Sequence, residues 1–120
     1  MASILVVDDD LAICEGMKAV LTNAGHDVRT APDGQVALEL LSQGPADLAI
    51  CDIMMPEVDG FEFYRRLKAQ HPGVKFIAIS GYSYNGKMDL LAMAEAMGAE
   101  KAFQKPVMPR DLLAAIDALH

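Results

Sequence analysis

Asp47-Leu48-Ala49-Ile50-Cys51-Asp52, followed by Ile53-Met54-Met55-Pro56, is a short apolar run closed at each end by aspartate. It lacks the apolar–polar alternation of a strand with one wet face, so it reads as a strand covered on both sides. Ile4-Leu5-Val6-Val7 is a run of the same kind and ends in Asp8-Asp9-Asp10, and Phe76-Ile77-Ala78-Ile79 ends in Ser80-Gly81. Working outward from these, strands are predicted at Ser3–Val7, His26–Thr30, Asp47–Cys51, Lys75–Ser80 and Lys101–Gln104. Helices are predicted between and after them, at Leu11–Ala24, Gly34–Ser42, Gly60–Gln70, Met88–Met97 and Pro109–Leu119. Strands that alternate with helices imply a parallel sheet with right-handed crossovers. The expected fold class is therefore α/β, a doubly wound (βα)5 domain whose five-stranded sheet takes the common order 2-1-3-4-5.

The helix boundaries have local causes. Asp10 suits the N-cap of the first helix and Gly25 its C′ position, with Ile13, Met17, Val20, Leu21 and Ala24 at helical spacing toward the sheet. Asp33 precedes the second helix and Gly44-Pro45 follows it. The third is expected to bury Phe61, Tyr64 and Leu67, or Leu67 with Phe63, before His71-Pro72-Gly73 stops it. Pro109 fits the first turn of the last helix.

With 120 residues, 52% of them apolar, the chain has the length and composition of one globular domain, and residues 1–120 are expected to form it with no output domain. A net charge of −7 argues against non-specific nucleic-acid binding. No run approaches the ~20 apolar residues of a membrane helix, and no signal peptide is read at the N-terminus, so a cytoplasmic protein is the expectation. Cys14 and Cys51 have no metal-ligand spacing and read as small buried thiols, and His26, His71 and His120 read as surface residues. Most of the eight methionines read as core filler.

The chemistry gathers at the carboxyl ends of the strands, where open parallel sheets bind ligands. In the order 2-1-3-4-5 the first and third strands are neighbours, which brings Asp8, Asp9 and Asp52 together. Ser80 ends the fourth strand and Lys105, before Pro106, follows the fifth. Two carboxylates ~4 Å apart repel by about 4 kcal/mol at an effective dielectric near 20, so three need a cation. An all-oxygen ligand set suits Mg2+, and carboxylate, metal, ammonium and hydroxyl together suit phosphoryl transfer. Asp10 reads as a helix cap rather than a ligand.

The chain resembles the response-regulator receiver domain of two-component signalling. The likeness is carried by Ile4-Leu5-Val6-Val7-Asp8-Asp9-Asp10, Asp52-Ile53-Met54-Met55-Pro56 with Asp59-Gly60, Ala78-Ile79-Ser80-Gly81, Gly98-Ala99 and Lys105-Pro106. It implies the CheY-like, flavodoxin-like fold and a signalling protein that catalyses its own phosphorylation and dephosphorylation. Asp52 would take a phosphoryl group from a phosphohistidine on a sensor histidine kinase or histidine phosphotransfer protein. Asp8, Asp9, Asp52 and the backbone carbonyl of Met54 would hold Mg2+, with Mn2+ as a substitute. Lys105 would contact the phosphoryl oxygens, Ser80 would move toward them, and Gly81 would leave room beside the acceptor. Pro106 is a candidate cis-proline, and Met54 and Tyr82 would tune dephosphorylation. The surface of the fourth helix, fifth strand and fifth helix would switch a downstream protein target, with no direct nucleic-acid or membrane partner. The start of the first helix, with Leu11 and Cys14 turned outward, would face the kinase.

Two departures stand out. Ala102 lies three residues before Lys105, where the family often has an aromatic residue, and alternation turns Phe103 to the other face. The Ser80–Gly98 segment also reads about three residues long, which suggests that Tyr82 or Tyr84 supplies part of the aromatic signal. A rival reading, a haloacid-dehalogenase-type phosphatase, would use Asp8 and Asp10, but Ala12 and the chain length do not fit it. A flavin-binding protein would need a phosphate loop where three aspartates stand. A degenerate receiver would lack part of the set Asp8, Asp9, Asp52, Ser80 and Lys105.

Overall fold

The computed structural model describes residues 2–53, 60–80, 92, 95, 96 and 98–119. Its strands are β1 (Ser3–Val7), β2 (Asp27–Ala31), β3 (Leu48–Asp52), β4 (Lys75–Ser80) and β5 (Lys101–Gln104). They form one parallel sheet in the order β2-β1-β3-β4-β5. The helices are α1 (Leu11–Asn23), α2 (Gly34–Gln43), α3 (Gly60–Gln70) and a C-terminal helix (Pro109–Leu119). The sequence-predicted helix at Met88–Met97 lies largely outside the described residues, although Ala92, Glu95 and Ala96 within it are helical.

Alternation along each strand divides the core into two layers. Leu5, Val7, Ala49 and Cys51 face Ala37 and Leu41 of α2 and Phe63 and Leu67 of α3. Ile4, Val6, Leu48 and Ile50 face Cys14 and Leu21 of α1 and Leu112 and Ile116 of the C-terminal helix. Every residue of β3 is buried, as its unbroken apolar run requires. Phe76 anchors the α3 side, with Tyr64 edge-on at 4.8 Å between ring centroids and Phe63 at 6.2 Å.

Several sequence expectations shift. β2 and β3 each begin one residue later than predicted, and β3 runs on through Asp52, which pairs with Ile79. In α3 the buried set is Phe63, Tyr64 and Leu67, with Phe61 half-buried. In α1 the residues fully against the sheet are Cys14 and Leu21. Ile13, Met17 and Val20 instead line a cleft of about 500 Å³ shared with Pro106, Val107 and Leu112, and Ala24 is an exposed C-cap. Cys14 therefore does not point outward as predicted: its short apolar side chain closes the gap between α1 and the sheet, and only Leu11 remains exposed. His26 is likewise not simply a surface residue, because its Nδ1 accepts the Ala2 N–H at 3.0 Å.

The caps follow the sequence. Asp10 Oδ1 accepts the Ala12 and Ile13 N–H groups, and Asp33 accepts that of Val36. Gly25, with φ of 96°, turns the chain after α1 in a conformation that a side chain would strain. Arg29 on β2 closes the other end of α2, donating to the carbonyls of Leu40 at 2.9 Å and of Gly44 and Pro45 at 3.0 Å.

Candidate functional site

Three strand ends and the turn after β5 converge on one acidic pocket. Asp8 follows β1 and is 1% exposed; Asp52 ends β3 and is 4% exposed; Ser80 ends β4 and is buried. Asp9 lies beside them on the solvent side. Carboxylate oxygens of Asp8, Asp9 and Asp52 all fall within 4.8 Å of one another, close enough for one metal ion.

The backbone delivers each group. The Ile53 N–H donates to the Ile79 carbonyl at 2.9 Å, and the Lys105 N–H donates to the Ser80 carbonyl at 2.8 Å. These bonds carry the β3 and β5 exits alongside β4. The Lys105–Pro106 peptide bond is cis, as the sequence reading proposed. A Cβ on Gly60 would lie 2.3 Å from Ile53 Cα and 2.8 Å from the Asp52 carbonyl oxygen. Glycine thus lets α3 begin directly against the Asp52–Ile53 peptide.

Lys105 reaches into the cluster, with Nζ 2.8 Å from Asp8 Oδ2 and 3.0 Å from Asp52 Oδ2. The Asp52 contact is a hydrogen bond, whereas the Asp8 contact is an ion pair off the hydrogen-bond direction. Among the described residues, Asp8 Oδ2 is consequently buried with no hydrogen-bond donor of its own. Asp8 Oδ1 accepts the Asp10 N–H at 2.9 Å. Burial pushes the Asp8 carboxyl above its ordinary pKa, although Lys105 and the Asp10 N–H pull it back. Burial alone would lower Lys105, but the two carboxylates outweigh it and hold the ammonium charged. Among the described residues, one ammonium against three carboxylates leaves two negative charges, the deficit that a divalent cation would fill.

The structure brings together Asp8, Asp9, Asp52 and Lys105 and sets Ser80 at the adjoining strand end. Met54, Gly81, Tyr82 and Tyr84 lie outside the described residues. Ala102 and Phe103 take opposite faces, with Ala102 packed on the α2–α3 side and Phe103 on the α1 side. The Asp8/Asp10 pairing of the phosphatase reading has its second member engaged as the α1 cap. One neighbour of the site escaped the sequence reading: the Cys14 thiol donates to the Asp8 carbonyl at 3.3 Å. Burial, with the nearby Asp8 charge, pushes this thiol's pKa up and keeps its proton in place. The spacing Cys14, Met17, Leu21 was the available signal for its inward orientation.

Residues 4–117 match the family model of the response regulator receiver domain. The chain belongs to that family. It is 37% identical, over 99% of its length, to the transcriptional regulatory protein AfsQ1 of Streptomyces coelicolor. It is 34% identical to the response regulator MprA of Mycolicibacterium vanbaalenii over 97% of its length. The receiver spans about half the length of these two relatives, 51% and 49%. Its structure superposes on chemotaxis protein CheY4 of Vibrio cholerae with a TM-score of 0.87 at 30% identity, covering 100% of this chain and 99% of that one. It also superposes on response regulator TrrA of Thermotoga maritima, solved in complex with Mg2+-BeF, with a TM-score of 0.83 at 30% identity and full coverage of both chains. The domain is thus a CheY-like receiver of two-component signalling. Among the described residues no helix is long and apolar enough to cross a membrane.

Proposed function

We propose that Asp52 of this receiver accepts a phosphoryl group from a phosphohistidine on a sensor histidine kinase or histidine phosphotransfer protein. The observation that carries this reading is the Lys105 ammonium set between Asp8 and Asp52 at 2.8 and 3.0 Å, in a buried cluster at the switch point of the sheet. An Asp52 carboxylate oxygen forms the new P–O bond as the P–N bond to the donor imidazole breaks. The imidazole keeps the electron pair and takes up a proton from solvent. Lys105 turns from its carboxylates to the phosphoryl oxygens, the Ser80 hydroxyl moves toward them, and Gly81 leaves room beside the acceptor for the donor.

The residues fit a hard divalent cation. The buried Asp8 Oδ2 has no hydrogen-bond donor among the described residues and the ligand set is all oxygen, which favours Mg2+, with Mn2+ in its place when supplied. Asp8, Asp9 and Asp52 would hold it, joined by the Met54 carbonyl. When bound, the ion supplies positive charge that offsets the phosphoryl oxygens. Met54 and Tyr82 tune how long the phosphoryl group persists before the domain hydrolyses it.

Phosphorylation adds about −1.5 to −2 charge beside Ser80. The change passes to the surface around Met88–Met97, β5 and the C-terminal helix, which meets a downstream protein. The receiver works in the cytoplasm, where the kinase partner presents its phosphohistidine. Leu11, 73% exposed at the start of α1, and Met108, 54% exposed, mark the kinase-facing rim.

The test is transfer from a panel of phosphohistidine proteins and from acetyl phosphate, with Mg2+ present. Label should map to Asp52, and Asp52→Asn should lower incorporation by roughly two orders of magnitude or more, the scale for removing a nucleophile. Leu11→Glu should slow transfer from the protein donors and leave acetyl phosphate unaffected. Label that maps to Asp8, or that survives Asp52→Asn undiminished, would sink the reading. Equal slowing with both donor types would remove Leu11 from the kinase rim.

A further inference from the structure

We infer that Cys14 is a positioning residue for the metal carboxylates, acting through the β1–α1 turn without touching a ligand itself. This rests on the reading of Asp8 and Asp9 as metal ligands. Cys14 lies in the first turns of α1, 3% exposed and facing the sheet. Its thiol donates to the Asp8 carbonyl at 3.3 Å and lies 4.0 Å from the Ala31 carbonyl at the end of β2. The Asp8 N–H donates to that same Ala31 carbonyl at 3.1 Å. Asp8 is therefore held at both of its main-chain groups, the N–H by β2 and the C=O by α1.

The second of these contacts carries the consequence. The Asp8 carbonyl belongs to the peptide unit that joins Asp8 to Asp9, so holding its direction constrains the backbone from which both carboxylates project. With that plane set, the Asp10 N–H holds Asp8 Oδ1 at 2.9 Å and leaves Oδ2 buried in the cluster with no hydrogen-bond donor among the described residues. Asp9 is exposed, so its aim depends on the turn beneath it. A thiol is a weak donor, but its long C–S bond spans the distance from a helix to a neighbouring turn. Alanine removes both donor and bulk, valine restores bulk alone, and serine restores the donor.

The experiment uses the full chain with Cys14→Ala, Cys14→Val, Cys14→Ser and Asp8→Asn. Mg2+ affinity is read by calorimetry, metal-free unfolding by a thermal melt, and the turn by the Asp9 amide resonance in the metal-free protein. Cys14→Ala and Cys14→Val should weaken Mg2+ binding by about five- to tenfold, the low end for groups that orient metal ligands. Both should also displace the Asp9 resonance. Cys14→Ser should recover affinity to within about twofold and restore the resonance, even where its melting point falls with that of alanine. Unchanged affinity in the alanine and valine variants, or a serine variant as weak as alanine, would overturn the inference. Wild-type protein that fails to bind Mg2+, or Asp8→Asn that binds it as tightly, would overturn the metal reading instead. The Asp9 resonance then still decides the role of Cys14: displacement in alanine and valine with return in serine upholds it, and an unmoved resonance refutes it.

Discussion

At the scale of single residues, Asp8 bears the cost of the site. Its carboxylate is out of water and within reach of Asp9 and Asp52, and among the described residues Lys105 and the Asp10 N–H offset that cost. A carboxyl whose pKa is raised on folding lends stability that is fully present below its unfolded pKa and is lost as pH rises through the folded value. The metal-free domain should therefore lose stability on titration from about pH 4 upward through the raised Asp8 value. Asp8→Asn should flatten that part of the profile. The substitution relieves the cost of holding a charged carboxylate out of water, together with its repulsion from neighbouring aspartates, so the variant should be the more stable at pH 7. Urea unfolding of both proteins at several pH values without divalent ions measures it. An asparagine variant that is less stable than wild type at pH 7, or that keeps the wild-type slope, would show that Asp8 is not the strained group. Function would explain why aspartate is nonetheless present: asparagine gives up the charge a divalent ion needs.

At the scale of elements, Arg29 shows how an edge strand secures a helix. Its guanidinium spans the carbonyl of Leu40, which also accepts the Gly44 N–H, and those of Gly44 and Pro45 just past the end of α2. Arg29→Met keeps the aliphatic stem but removes the three bonds and should cost about 1–2 kcal/mol, somewhat below the usual range for charge-assisted bonds because the group is partly exposed. Arg29→Lys should recover only part, since an ammonium cannot span the same fork. Chemical denaturation separates the cases, and a methionine variant within about 0.3 kcal/mol of wild type would make the fork incidental. Nothing in the one-dimensional pattern announced this cap, because it joins positions that only the β2–α2 crossover brings together. Local signals fared better. Asp10, Asp33 and Gly25 act within a few residues of themselves, and each stands at the helix end the sequence assigned. Cys14 reads from the sequence both as a buried thiol, which holds, and as facing the kinase, which fails, because a thiol tolerates surface and core and its partner, the Asp8 carbonyl, is a backbone atom with no sequence signature. Asp8, Asp9, Asp52 and Lys105 were legible together because strand order alone fixes their convergence.

At the scale of the whole molecule, the order β2-β1-β3-β4-β5 couples the strand-end aspartate cluster to global stability. Asp8 and Asp52 are rooted in β1 and β3, central strands whose residues are almost all buried. An ion that needs both carboxylates cannot remain bound to the unfolded chain with the same affinity. Ligand that binds only the folded state stabilises it by about 2.7 kcal/mol at a concentration 100 times its dissociation constant. For a domain of this size that corresponds to a rise of roughly 10 °C in the melting midpoint. Mg2+ should produce this rise saturably, and a chelator should reverse it. Sodium chloride at matched ionic strength should reproduce little of it, because screening the overall charge of −7 is a diffuse effect rather than a site-bound one. The Mg2+ increment should also shrink on acidification through the raised Asp8 value, since the ion requires the ionised carboxylate. Thermal melts at fixed ionic strength, with and without Mg2+ and across pH, give all three comparisons. A midpoint that moves equally with sodium and magnesium would mean that the strand-end aspartates act only as part of the general negative charge of the domain.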